Sequence, residues 1–255
     1  MTPEQSEYLP ELRRAQFKKS VDALNRNLDD LDWRGGRAFS IEEYPRDSPK
    51  HHEVPWGFKP FAMRDAAERG YRYLLWVDSS TRFKQSPEKL FEIVAKRQAL
   101  FFNEFDGFNP VGEFSSDRAL EIMEIDRQVS FEIPIIWASV LGIDCHSTCA
   151  KQFLDSWAEL AVPGGAFCGP KWSGVRGWPA TASTDPRVKG HRHDQSVASI
   201  LRHKLNLASP LPREVYDVYL YSDKAKFRSY NESNRSTTAR VISRVSRLFQ
   251  RHPAS

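Results

Sequence analysis

The segment YRYLLWVDSSTRF, residues 71–83, decides how this sequence is interpreted. Its apolar run at 74–77 stops at one acid, Asp78, which is followed by the hydroxyl residues Ser79, Ser80 and Thr81. The run predicts a buried β-strand, and such a strand gains nothing from a terminal carboxylate unless the charge meets water, a donor or a cation. Two interpretations are open: Asp78 caps the turn before Thr81, or it belongs to a ligand site at the carboxyl end of a sheet.

Helical and extended patterns alternate on both sides of this segment. Apolar residues at steps of three and four predict helices, and short apolar runs predict strands. The predicted helices cover 11–31, 59–69, 87–98, 117–125, 148–161 and a last core helix from Asp194, and the predicted strands cover 71–77, 99–105 and 133–144. This alternation predicts an α/β fold with a mostly parallel sheet flanked by helices on both faces.

Composition and charge limit the class of protein. The 255 residues are 40% hydrophobic, which suits one large core, and the chain has neither a long apolar window nor a signal-peptide pattern. We therefore expect a cytoplasmic protein whose three cysteines, Cys145, Cys149 and Cys168, are reduced. Residues 224–251 carry eight Lys and Arg against Glu232 alone, and a basic tail on a mildly acidic body does not indicate nucleic-acid binding.

The segment GHRHDQS, residues 190–196, concentrates ionisable groups just before a predicted helix. His191 and His193 are two apart in an extended stretch, so their rings should point the same way. Asp194 is expected to be the N-cap of the helix. The histidines are interpreted either as metal ligands or phosphate contacts, or as a hydrogen-bonded structural pair.

The segment at residues 162–179 is rich in glycine, with three prolines and several aromatic residues. It is interpreted either as a lid over a ligand site or as an irregular surface loop held by its own aromatic side chains.

Three segments together resemble bacterial glycosyltransferase-like proteins with the GT-A nucleotide-diphospho-sugar transferase fold. They are FKPFAMRDAAERGYRYLLWVDSS at 58–80, GGAFCGP at 164–170 and GHRHDQSVAS at 190–199. The resemblance covers about residues 45–208, and it implies a GT-A-like domain over 1–222 followed by a basic tail with an amphipathic helix over 223–255. GT-A domains open with a nucleotide-binding strand that this chain lacks at its start, unless the residues RAFSIEEY at 37–44 rebuild that edge.

The resemblance also implies how the donor is bound. Asp78 takes the place of the first acid of an Asp-x-Asp motif, and Ser79 and Ser80 complete the segment. In that family the acids hold Mn²⁺ or Mg²⁺ on the donor diphosphate, a site that Ser80 weakens here and that His191 or His193 would complete. Without a metal, basic residues would neutralise the diphosphate; the candidates are Lys59, Lys171, Arg176 and Arg192.

By the same resemblance, Asp194 and Gln195 are the catalytic pair. In an inverting reaction Asp194 would be the general base for the acceptor hydroxyl, and in a retaining reaction Asp194 or Gln195 would contact the donor.

The leading hypothesis is therefore a transferase that moves a sugar from a nucleotide-diphosphate donor to a glycan, lipid or protein acceptor. Two alternatives stay open: a metal-dependent hydrolase using Asp78, His191, His193 and Asp194, and a catalytically inactive binding module. The arginine-rich stretch at 235–251 adds an expected peripheral contact with the inner membrane surface.

Overall fold

The computed structural model describes residues 18–36, 45–104, 108–170 and 182–222. The helices are α1 over 18–30, α2 (Phe58–Glu68), α3 (Glu88–Arg97), α4 (Asp117–Ile122), α5 (Arg127–Ser130), α6 (Thr148–Glu159), α7 (His193–Lys204) and α8 (Arg213–Tyr219). The strands are β1 (Tyr73–Val77), β2 (Thr81–Phe83), β3 (Ala99–Asn103), β4 (Ile136–Asp144) and β5 (Leu220–Ser222), and a 3-10 turn covers Val111–Phe114. Helices and strands alternate, so the predicted α/β class is confirmed.

The main sheet has three strands in the order β1-β4-β3. The central strand β4 pairs antiparallel with both neighbours, and β2 and β5 form a separate antiparallel pair. A mostly parallel sheet was expected, but the described ladders are antiparallel. The reason lies in the chain path: β4 begins with Ile136 beside Asn103, the last residue of β3, so it must run back along β3 rather than cross over to the other end of the sheet.

Each face of the main sheet packs against helices. Leu74, Phe101 and Leu141 join a core cluster with apolar residues of α2, α6 and α7, such as Met63, Trp157 and Val197. Their strand neighbours Leu75, Leu100 and Val140 join a second cluster, whose helical members include Leu24 in α1, Leu90 in α3 and Tyr216 in α8. The alternation of strand side chains thus buries both faces of the sheet.

Local signals placed the helix ends to within a few residues. The helix predicted over 59–69 ends just before Gly70, which adopts a left-handed conformation with φ 93° directly after α2. Pro87 is the N-cap of α3, one residue later than expected, although Ser86 still accepts a hydrogen bond from Glu88 N–H. The cysteines are free, as predicted.

Several predictions fall outside the described residues: the N-terminal part of the first helix (11–17), the edge strand at 37–44, the segment containing Lys171 and Arg176, and the tail at 223–255 with its basic stretch at 235–251. Within the described ranges, no helix combines the length and the apolar composition needed to cross a bilayer.

Gly142 in the central strand tests the packing of the sheet. A Cβ at this position would lie 2.4 Å from Val94 Cγ2 and 3.1 Å from Leu100 Cβ. We expect Gly142→Ala to lower the free energy of unfolding by about 1–3 kcal/mol because the core between α3 and the sheet becomes overpacked. Urea denaturation measures this loss. Gly36→Ala, at an exposed position where the nearest atom is the Trp33 ring nitrogen at 3.4 Å, is the control; equal stability of both variants would contradict the packing described.

Candidate functional site

The candidate site is organised around the ammonium group of Lys59. Lys59 lies in the first turn of α2, and its side chain is 3% exposed. Its Nζ is 3.0 Å from Asp78 Oδ1, 2.8 Å from Asp194 Oδ2 and 3.0 Å from the carbonyl oxygen of Ala138. A lysine ammonium has three N–H donors, so these three acceptors use all of them.

Asp78 follows β1 and is the more accessible of the two acids, with a side chain that is 21% exposed. Its Oδ1 also accepts a hydrogen bond from the indole N–H of Trp76 at 2.9 Å, and its backbone N–H bonds to the Ser139 carbonyl. Thr81 N–H donates to the Asp78 carbonyl, so a turn does follow the strand. The residue therefore shapes the turn with its backbone, while its carboxylate faces the Lys59 ammonium.

Asp194 lies in the first turn of α7, and its side chain is only 8% exposed. The prediction that Asp194 caps this helix is wrong: Arg192 is the N-cap, and the Asp194 carboxylate turns instead to Lys59. The end of β1 and the entrance of α7 thus meet in space, since one ammonium contacts both acids.

The pKa values of Lys59 and Asp194 are shifted because two carboxylates share one buried ammonium. Burial acts to lower the pKa of Lys59, but the attraction of Asp194 and Asp78 outweighs it and holds the pKa above its ordinary value. Burial raises the pKa of Asp194, Lys59 opposes that rise, and the nearby charge of Asp78 adds to it. The ammonium therefore stays charged, and the net effect of the surroundings is to raise the pKa of Asp194 above its ordinary value.

The two histidines hold the glycine-rich segment against the start of α7. His191 is fully buried; its Nδ1 accepts from Ser116 N–H at 3.3 Å and its Nε2 lies 3.0 Å from the Ala166 carbonyl. His193 Nδ1 lies 2.8 Å from the next carbonyl, that of Phe167. The rings are neighbours, with centroids 5.2 Å apart and planes at 75°, although His193 is the first residue of α7 and not part of an extended stretch as predicted. Of the two interpretations, the hydrogen-bonded structural pair agrees with these contacts.

The residues predicted to hold a divalent cation do not fit one in this arrangement. Both ring nitrogens of His191 are engaged with the backbone, and the space between the acids is taken by the Lys59 ammonium. Among the described residues, no group of three or more His, Cys, Asp or Glu side chains is arranged to hold a metal ion. We therefore derive no chemical step through a metal.

Arg192 and Gln195 lie on the side of α7 that faces the end of β3. Both contact Oε2 of Glu104, Arg192 through an ion pair and Gln195 through a hydrogen bond of 2.6 Å. The Arg192 guanidinium also lies over the Phe114 ring, 4.6 Å from its centroid. Arg192 was predicted to contact the donor and Gln195 to take part in catalysis. In the structure, both side chains point to Glu104.

The Arg82 side chain holds the backbone of the segment that follows Asp78. This residue is 5% exposed, and its guanidinium donates to the carbonyls of Ser79 and Thr81 at 2.6 and 2.8 Å. Ser79 and Ser80 remain half-buried beside Asp78. Because the loop backbone is held, the positions of these two hydroxyl residues depend little on any ligand.

Two residues beside the acids have strained backbone conformations. Trp56 has φ 57° and His193 has φ 44°, values that are uncommon for residues with a side chain. Their rings pack on each other with centroids 5.3 Å apart, and His51 makes a T-shaped contact with the Trp56 ring, with centroids 4.8 Å apart. Tertiary contacts around the site therefore stabilise conformations that the local sequence does not favour.

Sequence reasoning missed several members of the site: Glu104, Trp76, Arg82 and the Ala138 carbonyl. Glu104 could have been found, because it lies near the end of the predicted strand 99–105 and acids at strand ends are ligand-site candidates. A backbone carbonyl such as that of Ala138 leaves no signal in a sequence.

Two surface cavities of about 550 Å³ lie elsewhere, one beside Ser116 and Pro170 and the other along α6 from Cys145 to Glu159. Neither is lined by Lys59, Asp78 or Asp194. The buried charges mark the candidate site, because burying acids is costly and a raised pKa such as that of Asp194 is typical of functional sites, whereas an open surface depression carries no such cost.

No family model matches the chain, and no curated protein and no solved structure matches it either.

The buried His191 provides a test of the site by pH. Burial, and next the neighbouring His193, lower the pKa of His191 to about 3, whereas an unfolded histidine titrates near 6.5. The unfolded chain thus binds the proton first, so stability is fully present above about pH 6.5 and falls as the pH drops toward 3. The full loss is roughly 5 kcal/mol.

We expect His191→Gln to reduce the difference between the free energies of unfolding at pH 7 and pH 5, measured by urea denaturation. His203→Gln, at an exposed position of α7, is the control and should leave the difference unchanged. A pH dependence in His191→Gln as steep as in the unsubstituted protein would contradict the buried neutral imidazole.

Proposed function

We propose that this protein is a glycosyltransferase with a GT-A-like fold, which moves a sugar from a nucleotide-diphosphate donor to an acceptor hydroxyl of a glycan, lipid or protein. The observation that carries the proposal is the meeting of Asp78 and Asp194 at one buried ammonium. These are the two acids that the family resemblance assigns to the donor and the acceptor. In an arrangement of this kind, donor and acceptor groups would be presented to each other at the carboxyl end of β1.

The roles of the acids follow from their surroundings. Asp78, the more accessible acid, would accept hydrogen bonds from the sugar donor, and the hydroxyl groups of the half-buried Ser79 and Ser80 beside it would donate or accept them. Asp194, whose pKa burial raises, is suited to take the proton of the acceptor hydroxyl as the sugar–oxygen bond forms and the nucleoside diphosphate leaves. General-base catalysis of this type contributes about 10²–10⁴-fold to a rate.

Lys59, Arg192 and Gln195 support these groups in this proposal. Lys59 has used its three N–H donors on protein acceptors, so it acts as a positioning residue for the two acids rather than as a diphosphate ligand. Arg192 and Gln195 are oriented by Glu104.

Of the two alternatives, the metal-dependent hydrolase is the less supported. It requires His191 and His193 to face Asp78 and Asp194 around one cation, whereas their ring nitrogens bond to the carbonyls of Ala166 and Phe167. The inactive binding module is distinguished from the transferase by turnover alone.

Ligand binding tests the class of donor. We expect one nucleoside diphosphate out of UDP, GDP, CDP and ADP to raise the melting temperature of the full chain by several degrees when it is present at about 100 times its Kd, because binding to the native state adds roughly 2.7 kcal/mol. Differential scanning fluorimetry measures the shift. If none of the four raises the melting temperature, the nucleotide-sugar proposal is wrong.

Substitution of the acids tests catalysis. We expect Asp194→Asn to lower kcat by about 10²–10⁴-fold while the affinity for the donor changes little, because only the base is lost. The assay measures release of nucleoside diphosphate from the corresponding nucleotide sugars, with water as the acceptor. Asp155→Asn, which alters an exposed pair with Lys151 on α6, is the control. Turnover that is equal in all three proteins would indicate the binding module.

The cellular location forms part of the same proposal: a cytoplasmic enzyme in peripheral contact with the inner membrane surface through 235–251, where lipid-linked acceptors would be reached. Removal of residues 233–255 should lower sedimentation with anionic liposomes, because each arginine near such a surface adds about 1 kcal/mol. Unchanged sedimentation would remove the membrane contact from the proposal and leave the transferase chemistry unaffected.

A further inference from the structure

The cation between the two acids of the candidate site belongs to the protein itself. We infer that the Lys59 ammonium is the cation that Asp78 and Asp194 hold, so that the acid pair takes no divalent metal ion and donor binding needs none. The part of this inference that concerns the donor rests on the proposed function, and the part that concerns the acid pair does not.

The geometry around Nζ is that of a small cation site built from oxygen atoms. Two carboxylate oxygens and the Ala138 carbonyl oxygen lie at 2.8–3.0 Å from the nitrogen. Carboxylate and backbone carbonyl oxygens are also the ligands that Mg²⁺ and Ca²⁺ take, at about 2.0–2.6 Å. The same three oxygens therefore suit either kind of cation, and in this protein the ammonium occupies the space between them.

The ammonium is not easily displaced. The Lys59 side chain is 3% exposed, and its stem lies within the packed first turn of α2 beside the Trp76 ring, whose centroid is 5.5 Å from Nζ. A metal ion could enter only if the lysine swung out of this buried place and left its three acceptors. Two cations in the same space would repel each other at short range in a poorly solvated environment.

The charge balance differs from that of a metal site. Two ionised carboxylates and one ammonium leave a net charge of −1, whereas a divalent ion would leave the pair neutral. The surplus negative charge repels a diphosphate and attracts hydroxyl donors. The acids in this protein are therefore suited to contact sugar or ribose hydroxyls, with Asp78 as the accessible acceptor. The diphosphate group would then be bound by other residues.

The first test uses the unsubstituted protein and Mn²⁺ alone. Binding is followed by the electron paramagnetic resonance signal of free Mn²⁺ and by isothermal titration calorimetry, in parallel with Asp78→Asn. The expected result is the same weak or undetectable binding in both proteins. Saturable Mn²⁺ binding that disappears in Asp78→Asn would overturn the inference.

The second test removes the ammonium. Lys59→Ala opens the space between the acids and is expected to bind Mn²⁺ at least 10-fold more tightly than the unsubstituted protein, and the added Asp78→Asn substitution should abolish this gain. Lys59→Met removes the charge but fills the same volume, so it should gain no such binding. Folded Lys59→Ala that binds Mn²⁺ no better than the unsubstituted chain would contradict the inference. If this variant does not fold, the first test decides alone.

The nucleotide arm separates the two proposals. The rise in melting temperature caused by the stabilising nucleoside diphosphate should be equal in EDTA and in Mn²⁺. A rise in melting temperature that occurs only in Mn²⁺ would show that nucleotide binding needs the metal, and it would overturn this part of the inference. The absence of any rise in both conditions would contradict the transferase proposal, while the Mn²⁺ titrations would still decide the nature of the cation between the acids.

Discussion

The contact between the Lys59 ammonium and the carboxylates of Asp78 and Asp194 is the interaction on which the rest of the site depends. The three residues come from α2, the end of β1 and the first turn of α7, so a single buried cation connects three elements that are distant in the chain. Removing one partner from a buried ion group leaves an uncompensated charge and typically costs about 3–5 kcal/mol. The arrangement thus couples the geometry of the site to the stability of the fold.

The surroundings of this group restrict how it can move. Arg82 holds the carbonyls of the loop after Asp78, and the two histidines hold the glycine-rich segment at the entrance of α7. Glu104 orients the other side of the same helix through Arg192 and Gln195. The polar groups at this edge of the sheet are therefore oriented by the protein before any ligand arrives, which is the condition for electrostatic preorganisation.

A protein ammonium and a metal ion produce different chemistry from the same pair of acids. A divalent ion neutralises the pair and attracts a diphosphate, whereas one ammonium leaves a negative charge on the pair. Burial raises the pKa of Asp194, and the ammonium opposes that rise. In the proposed function, the position of Lys59 therefore determines what kind of group the acids would contact. Ser80 agrees with that proposal, because a site without a metal needs no second carboxylate at this position.

Local patterns in the sequence were sufficient to predict the α/β class, most helices and strands, and two of the acids of the site. Periodicity, glycine at a helix end and acids after an apolar run act over a few residues, and the chain carries them regardless of its final packing. The direction of β4, the partner of each histidine nitrogen and the place of Lys59 between two acids were decided by tertiary structure. They depend on which distant segments meet once the apolar faces are buried, and no local period encodes that choice. From the sequence alone, Lys59 is indistinguishable from a lysine on the surface. It becomes the centre of the candidate site because it is buried and its ammonium donates to the two acids and a backbone carbonyl.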